Sequence, residues 1–177
     1  MVRPDTVEYY ARKKENKNYK FRTWLKCHAD PDDLDKRFKA LHEELFTDYD
    51  CCKCGNCCRK YRVILEPGEA ERIAAYLAMP VEEFKGKYII DDTRTMDDAS
   101  AMDDEYAGKD MFPAPCPMLC EDGKCRIQEV KPEECKGFPY TDRPDRMGSL
   151  LGVLEFAETC PVVYEIVERL KESYRFR

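Results

Sequence analysis

The sequence contains no run of eighteen apolar residues, so no stretch of it reads as a membrane-spanning helix. Its first residues lack the apolar core of a signal peptide, and the expected location is therefore the cytoplasm. No glycine-rich dinucleotide-type motif is present. The Cys-x3-Cys-x2-Cys signature of radical S-adenosylmethionine enzymes is also missing, because Cys116-x3-Cys120-x4-Cys125 misses it by two residues. Residues 91–110 hold eight carboxylates but lack the glycine and terminal glutamate that an EF-hand loop requires. Positive charge is in deficit, at 30 Lys and Arg against 36 Asp and Glu, a net −6. That balance argues against a general binder of nucleic acid or anionic membrane. Only two histidines occur, His28 and His42. With thiols in surplus, neither is needed as a metal ligand.

What the chain does have is cysteine. Eleven are present, five of them between Cys51 and Cys58. Ordinary packing does not need five thiols in eight residues, and a reducing compartment favours metal over disulfides. The count is also odd, so a complete internal disulfide set would leave one thiol over. The first segment reads Cys51-x2-Cys54-x2-Cys57-Cys58, with Cys52 extra. The second reads Cys116-x3-Cys120-x4-Cys125-x9-Cys135-x24-Cys160. Gly55 suits the tight left-handed turn between closely spaced thiols. Pro132 and Pro161 each open a helix, which places Cys135 in a first turn and Cys160 at an N-cap, where thiolates are stabilised. Pro115 and Pro117 hold Cys116 extended. All-sulfur donors suit zinc or an iron–sulfur cluster, and the spacing does not choose between them.

Around these segments the chain reads as mainly helical with a few short strands. Residues 1–29 are expected to form an N-terminal helix or arm anchored by Phe21, Trp24 and Leu25. The stretch from Arg12 to Lys20 is basic, a possible contact for an acidic partner. Asp30 and Pro31 predict a helix start, and Leu34, Phe38, Leu41 and Leu45 carry its apolar stripe to about Thr47. A strand is expected over Tyr61–Leu65. Helices follow over Pro67–Ala78 and from Pro80 to about Lys87, then an extended piece over Tyr88–Ile90. Residues 91–110 read as an acidic loop, a second possible contact for a protein partner. Gly148–Phe156 reads as a short buried strand or turn. The last helix starts at Cys160-Pro161, with Val163, Ile166, Val167 and Leu170 inward. One domain over residues 30–177, organised around a multi-cysteine metal or iron–sulfur centre, is the expected architecture.

Three phrases in this order resemble the YkgJ-type cysteine-cluster family, described as zinc- or iron-chelating. They are Cys51-x2-Cys54-Gly55-x-Cys57-Cys58, then Pro115-Cys116-Pro117-x-Leu119 with Gly123-x-Cys125-x-Ile127, then Lys131-Pro132-x-x-Cys135-x-x-Phe138-Pro139. A related region occurs in flagellin lysine N-methylases. The resemblance covers roughly residues 48–165. It implies metal or iron–sulfur binding through Cys51, Cys54, Cys57, Cys58, Cys116, Cys125, Cys135 and Cys160. Cys52 and Cys120 fall outside the family pattern, and Cys27 falls outside the matching region.

The expected function is thus a metal-binding protein holding zinc or an iron–sulfur cluster, in a structural, metal-handling or electron-transfer role. Two alternatives stand beside it. One is a metal- or iron–sulfur-dependent enzyme modifying a protein or amino acid, similar to a methyltransferase, although no spacing selects Glu43, Glu66 or Glu155 as a catalytic group. The other is a thiol–disulfide redox protein, for which Cys51-x2-Cys54 has the spacing but lacks the flanking strand–helix pattern.

Overall fold

Val7, Ala11, Phe21 and Leu25 are the buried apolar positions of the first 29 residues, each at most 2 % exposed. They lie on two helices, α1 (Val7–Lys13) and α2 (Glu15–His28), separated by Lys14 alone. In the computed structural model, residues 1–90 and 108–177 are described. The greater part of the acidic loop expected over 91–110 therefore lies outside the described residues. The chain forms two units, the first from residues 1–56 and 139–177, the second from residues 57–138.

In the first unit, Asp30 is extended and its carboxylate accepts from the Asp33 N–H at 2.9 Å, with Pro31 in the first turn. This starts α3 (Pro31–Phe46), where the sequence places it. Leu34 and Phe38 are its buried positions, and Leu41 and Leu45 are partly buried on the same stripe. Two short helices follow, α4 (Cys51–Cys54) and α5 (Asn56–Lys60), the second of which carries the chain into the second unit.

The second unit is built on a two-stranded antiparallel ladder, β1 (Val63–Ile64) with β2 (Met111–Phe112), paired Val63 to Phe112 and Ile64 to Met111. The strand is shorter than the Tyr61–Leu65 expected. Helices α6 (Glu69–Tyr76) and α7 (Val81–Tyr88) pack beside it, and Tyr88 ends a helix where an extended piece was expected. Ile73, Phe84, Phe112, Met118 and Ile127 form the centre of this core, all at most 1 % exposed. A short helix, α8 (Glu133–Gly137), starts after Pro132 as the sequence predicts. Two carboxylates tie the pieces together. Buried Glu69 accepts from the N–H groups of Glu66 and Glu133 at 3.0 Å each and from Arg72 at 2.8 Å. Glu134 of α8 accepts from the Ile64 N–H, holding the open edge of β1.

The return to the first unit gives α9 (Arg146–Ala157), which corrects the short strand or turn expected over Gly148–Phe156. The apolar run is helical because Leu150, Val153, Leu154 and Ala157 repeat on one buried face and because its start is doubly held. Asp145, at φ 61°, accepts from the Gly148 N–H at 3.2 Å. Asp35 of α3 accepts from the Asp145 and Arg146 N–H groups at 2.8 Å each. Then α10 (Pro161–Ser173) begins with Cys160 as its N-cap, as expected. It packs on α9 and α3 through Val163, Ile166, Val167 and Leu170. Arm and bundle are joined by a polar latch. Lys14 donates to Glu168 at 2.7 Å, and buried Lys171 donates to Glu168 at 2.6 Å and to Asn18.

The protein is thus mainly helical with few short strands, as the sequence implies. No helix among the described residues is long and apolar enough to cross a membrane.

Candidate functional site

The thiols are sorted by Gly55. It ends α4 in the left-handed conformation, φ 63°, and its N–H donates to the Cys51 carbonyl at 3.0 Å. Asp50 starts the same helix by accepting from the Cys52 N–H at 2.9 Å. Cys51 and Cys54, three apart, therefore share a face of α4. Cys57 and Cys58 fall on α5, beyond the point where the chain changes unit.

In the first unit Cys51 and Cys54 are joined by Cys160 at the head of α10, and all three bear on the Tyr49 phenol. Burial first, then the Cys54 sulfur beside its hydroxyl, raise the Tyr49 pKa. Burial also pushes the Cys160 thiol up to about 12, although the Val163 and Val162 N–H groups of the helix start oppose it. The sequence reading anticipated this helix position but not the burial, which wins. Tyr49 was not foreseen as a neighbour of these sulfurs, and its only sequence signal is its place two residues before Cys51.

In the second unit the charges of Cys58, Cys116 and Cys125 reach Cys135, and those of Cys58 and Cys125 reach Cys116. The Cys116 N–H donates to the Cys58 carbonyl at 2.7 Å, and Leu119 bridges Cys125 across a small turn. Cys116, Cys125 and Cys135 rest against the apolar core. Burial raises Cys116 to about 11, helped by the charges of Cys58 and Cys125. Burial raises Cys135 to about 12, again with Cys116, Cys58 and Cys125 adding to it. Cys58 goes the other way. The Cys57 sulfur 4.0 Å away stabilises its thiolate, Lys131 and Arg59 add positive charge, and together they outweigh burial and lower it to about 6. Lys131 was read only as part of a Lys-Pro pair, so its electrostatic role was missed.

Of the remaining candidates, Cys27, Cys51 and Cys120 are exposed, and Cys52 is partly buried. His42 bonds to the buried Thr141 hydroxyl at 2.8 Å and packs on Phe46, while His28 caps the Trp24 carbonyl at 2.9 Å. Neither histidine joins the thiols.

The donors are of the right chemistry for zinc or an iron–sulfur cluster, but their placement does not fit one. Among the described residues, no three of Cys, His, Asp and Glu are grouped so as to hold a metal ion. The eleven cysteines form no disulfide. These findings correct the expectation of a domain organised around a metal or iron–sulfur centre, and the zinc and iron–sulfur cofactors with it. They equally remove support for the metal-handling, electron-transfer, metal-dependent enzyme and thiol–disulfide readings. The physical reason is local. Gly55 divides the first thiol segment between two short helices, and the chain takes the two halves into different units.

No match was found among the curated proteins or among the solved structures. Residues 50–161, more than half of the chain, match the model of the CxxCxxCC family, described as "Putative zinc- or iron-chelating domain". The span begins one residue before Cys51 and ends one residue after Cys160, so it contains both thiol groups, and the chain belongs to this cysteine-cluster family.

Proposed function

We propose that the protein is a protein-binding domain whose N-terminal helices recognise an acidic partner protein. The observation that carries this reading is the division of faces on α1 and α2. Their buried side holds Val7, Ala11, Phe21 and Leu25, while Tyr9, Tyr10 and Tyr19 are 64 %, 41 % and 44 % exposed. Lys13, Lys17 and Lys20, on the same two helices, are exposed as well. Lys13 lies over the Tyr9 ring at 6.0 Å, and Tyr9 meets Tyr10 edge to face at 5.2 Å. Lys17 and Lys20 form no salt bridge with the described residues. Exposed tyrosines supply contact area at low entropy cost and are enriched in protein interfaces. Uncompensated lysines select carboxylates and steer their approach. In a chain of net charge −6, a basic face of this kind suits the carboxylates of an acidic protein better than a nucleic-acid backbone.

Titration of the full chain with polyglutamate by calorimetry tests this. Binding should weaken with added salt and be abolished in Lys13→Glu/Lys17→Glu/Lys20→Glu. Tyr9→Ala/Tyr10→Ala should weaken it about tenfold at unchanged salt dependence. Undiminished binding by the triple variant, or tighter binding of a single-stranded oligonucleotide than of polyglutamate, would overturn the reading.

A further inference from the structure

In the second unit, far in sequence from any thiol of the first segment, α7 ends on Tyr88. The Arg126 guanidinium donates to the Tyr88 hydroxyl at 3.1 Å, and the Lys87 ammonium lies 5.2 Å from the Tyr88 ring centroid. The backbone that carries Arg126 is held, since its main-chain N–H donates to the Met118 carbonyl at 2.8 Å. Tyr88 is braced too, its ring packing on buried Phe84 at 5.5 Å. Lys87 and Arg126 are exposed, and neither forms a salt bridge with a carboxylate among the described residues. The result is two cations and a hydroxyl brought together at one surface point by elements 38 residues apart. The phenol feels both cations. Desolvation opposes its ionisation, but the Arg126 hydrogen bond and the Lys87 charge overcome this and lower its pKa.

We propose that Arg126, Lys87 and the Tyr88 hydroxyl form a binding site for a dianionic tetrahedral oxyanion, either free phosphate or a phosphorylated side chain. The chemistry matches in each part. One guanidinium N–H is spent on Tyr88, and those remaining can grip two oxygens of one phosphate side by side. Lys87 supplies a second positive charge on a flexible stem. The tyrosine hydroxyl gives a neutral hydrogen bond that fixes the anion's distance from the ring. Because Arg126 and Tyr88 are already braced, binding orders little beyond the Lys87 chain, which favours capture of a small ligand.

The test is a calorimetric and NMR titration of the full chain with inorganic phosphate, and in a second arm with a phosphoserine peptide. Phosphate should bind at millimolar concentration and shift the Tyr88 and Arg126 resonances. Arg126→Gln should weaken binding about tenfold and Tyr88→Phe about threefold, the scale of one charged and one neutral hydrogen bond. Lys136→Gln removes an equal charge at the Glu133 pair of α8 and should leave binding unchanged. Tighter binding of the phosphopeptide than of phosphate identifies a partner's side chain as the occupant, and equal or weaker binding identifies the free anion. The proposal falls if millimolar phosphate produces no shift at Tyr88 or Arg126. It falls equally if Lys136→Gln costs as much as Arg126→Gln, because general surface charge would then account for the binding.

Discussion

The two units solve the folding problem by different means. The first buries long apolar faces of α3, α9 and α10 against one another, and its polar contacts, such as the Lys14–Glu168–Lys171 latch, add to a core that is already large. The second has a ladder of two residue pairs, short helices of eight residues or fewer and a small core, with Cys116, Cys125 and Cys135 filling its margin. Buried Glu69 and half-buried Glu134 do there what extra strands or helices would do elsewhere, by satisfying backbone N–H groups of separate segments. The contrast shows that regular patterning can be replaced by a few carboxylates, at the cost of making those carboxylates individually critical.

The thiols test this contrast most sharply. At pH 7 Cys58 should be mostly thiolate, while Cys116 and Cys135 in the same unit and Cys160 in the other stay protonated. Alkylation mapped by mass spectrometry on the folded protein should modify Cys58 faster than those three by about fiftyfold or more, the larger thiolate fraction being partly offset by the weaker nucleophilicity of a low-pKa thiolate. Comparable rates would show that burial does not divide them as described. Next in size, Phe38→Ala in α3 and Phe84→Ala in α7 should each cost about 3–5 kcal/mol, as expected for deleting a buried aromatic ring. Native-state hydrogen exchange should show each loss concentrated in its own unit. Equal loss of protection in both units from either change would merge the two into one cooperative block.

Glu69→Ala should cost about 2–3 kcal/mol, because it leaves the Glu66 and Glu133 N–H groups without their acceptor. Denaturant melts would show it, and a loss near zero would remove the carboxylate from the account of the second unit. A smaller effect belongs to the latch. Desolvation raises the Glu168 pKa, yet the bonds from Lys14 and Lys171 prevail and hold it below the usual value. Its contribution to stability is therefore complete above the unfolded pKa of about 4.3 and is lost as pH falls through the lower folded value. Melting followed by circular dichroism should show that loss below about pH 4, and Glu168→Gln should flatten it. Smallest of all, Cys27→Ala, at an exposed position, should change stability by less than about 0.5 kcal/mol.

The sequence was most readable where one residue fixes one event. Asp30 and Pro31 start α3, Pro132 precedes α8 and Cys160-Pro161 starts α10, because caps and proline act within one helical turn. It was least readable where a distant group decides. The start of α9 depends on Asp35, some 110 residues earlier, so its apolar run passed for a short strand or turn. The triad at Tyr88 depends on Arg126 and carries no local signal. The thiol segments were legible as a family mark but not as a site. Spacing shows which sulfurs can share a helix face, whereas their grouping follows from where the chain changes unit.

That change of unit has a consequence for how the protein is made. Residues 57–138 are an uninterrupted segment nested inside a discontinuous one. On a ribosome the second unit emerges whole and can fold at once, with every partner of Glu69 already synthesised. The first unit must wait. Until α9 and α10 appear, Leu34 and Phe38 of α3 lack the main partners of their apolar face and are exposed to wrong ones. The Asp30 cap, which acts within its own helix, favours the helical form of α3 by about 1 kcal/mol during that interval, and the order of birth of the two units is the reverse of their order of first residue.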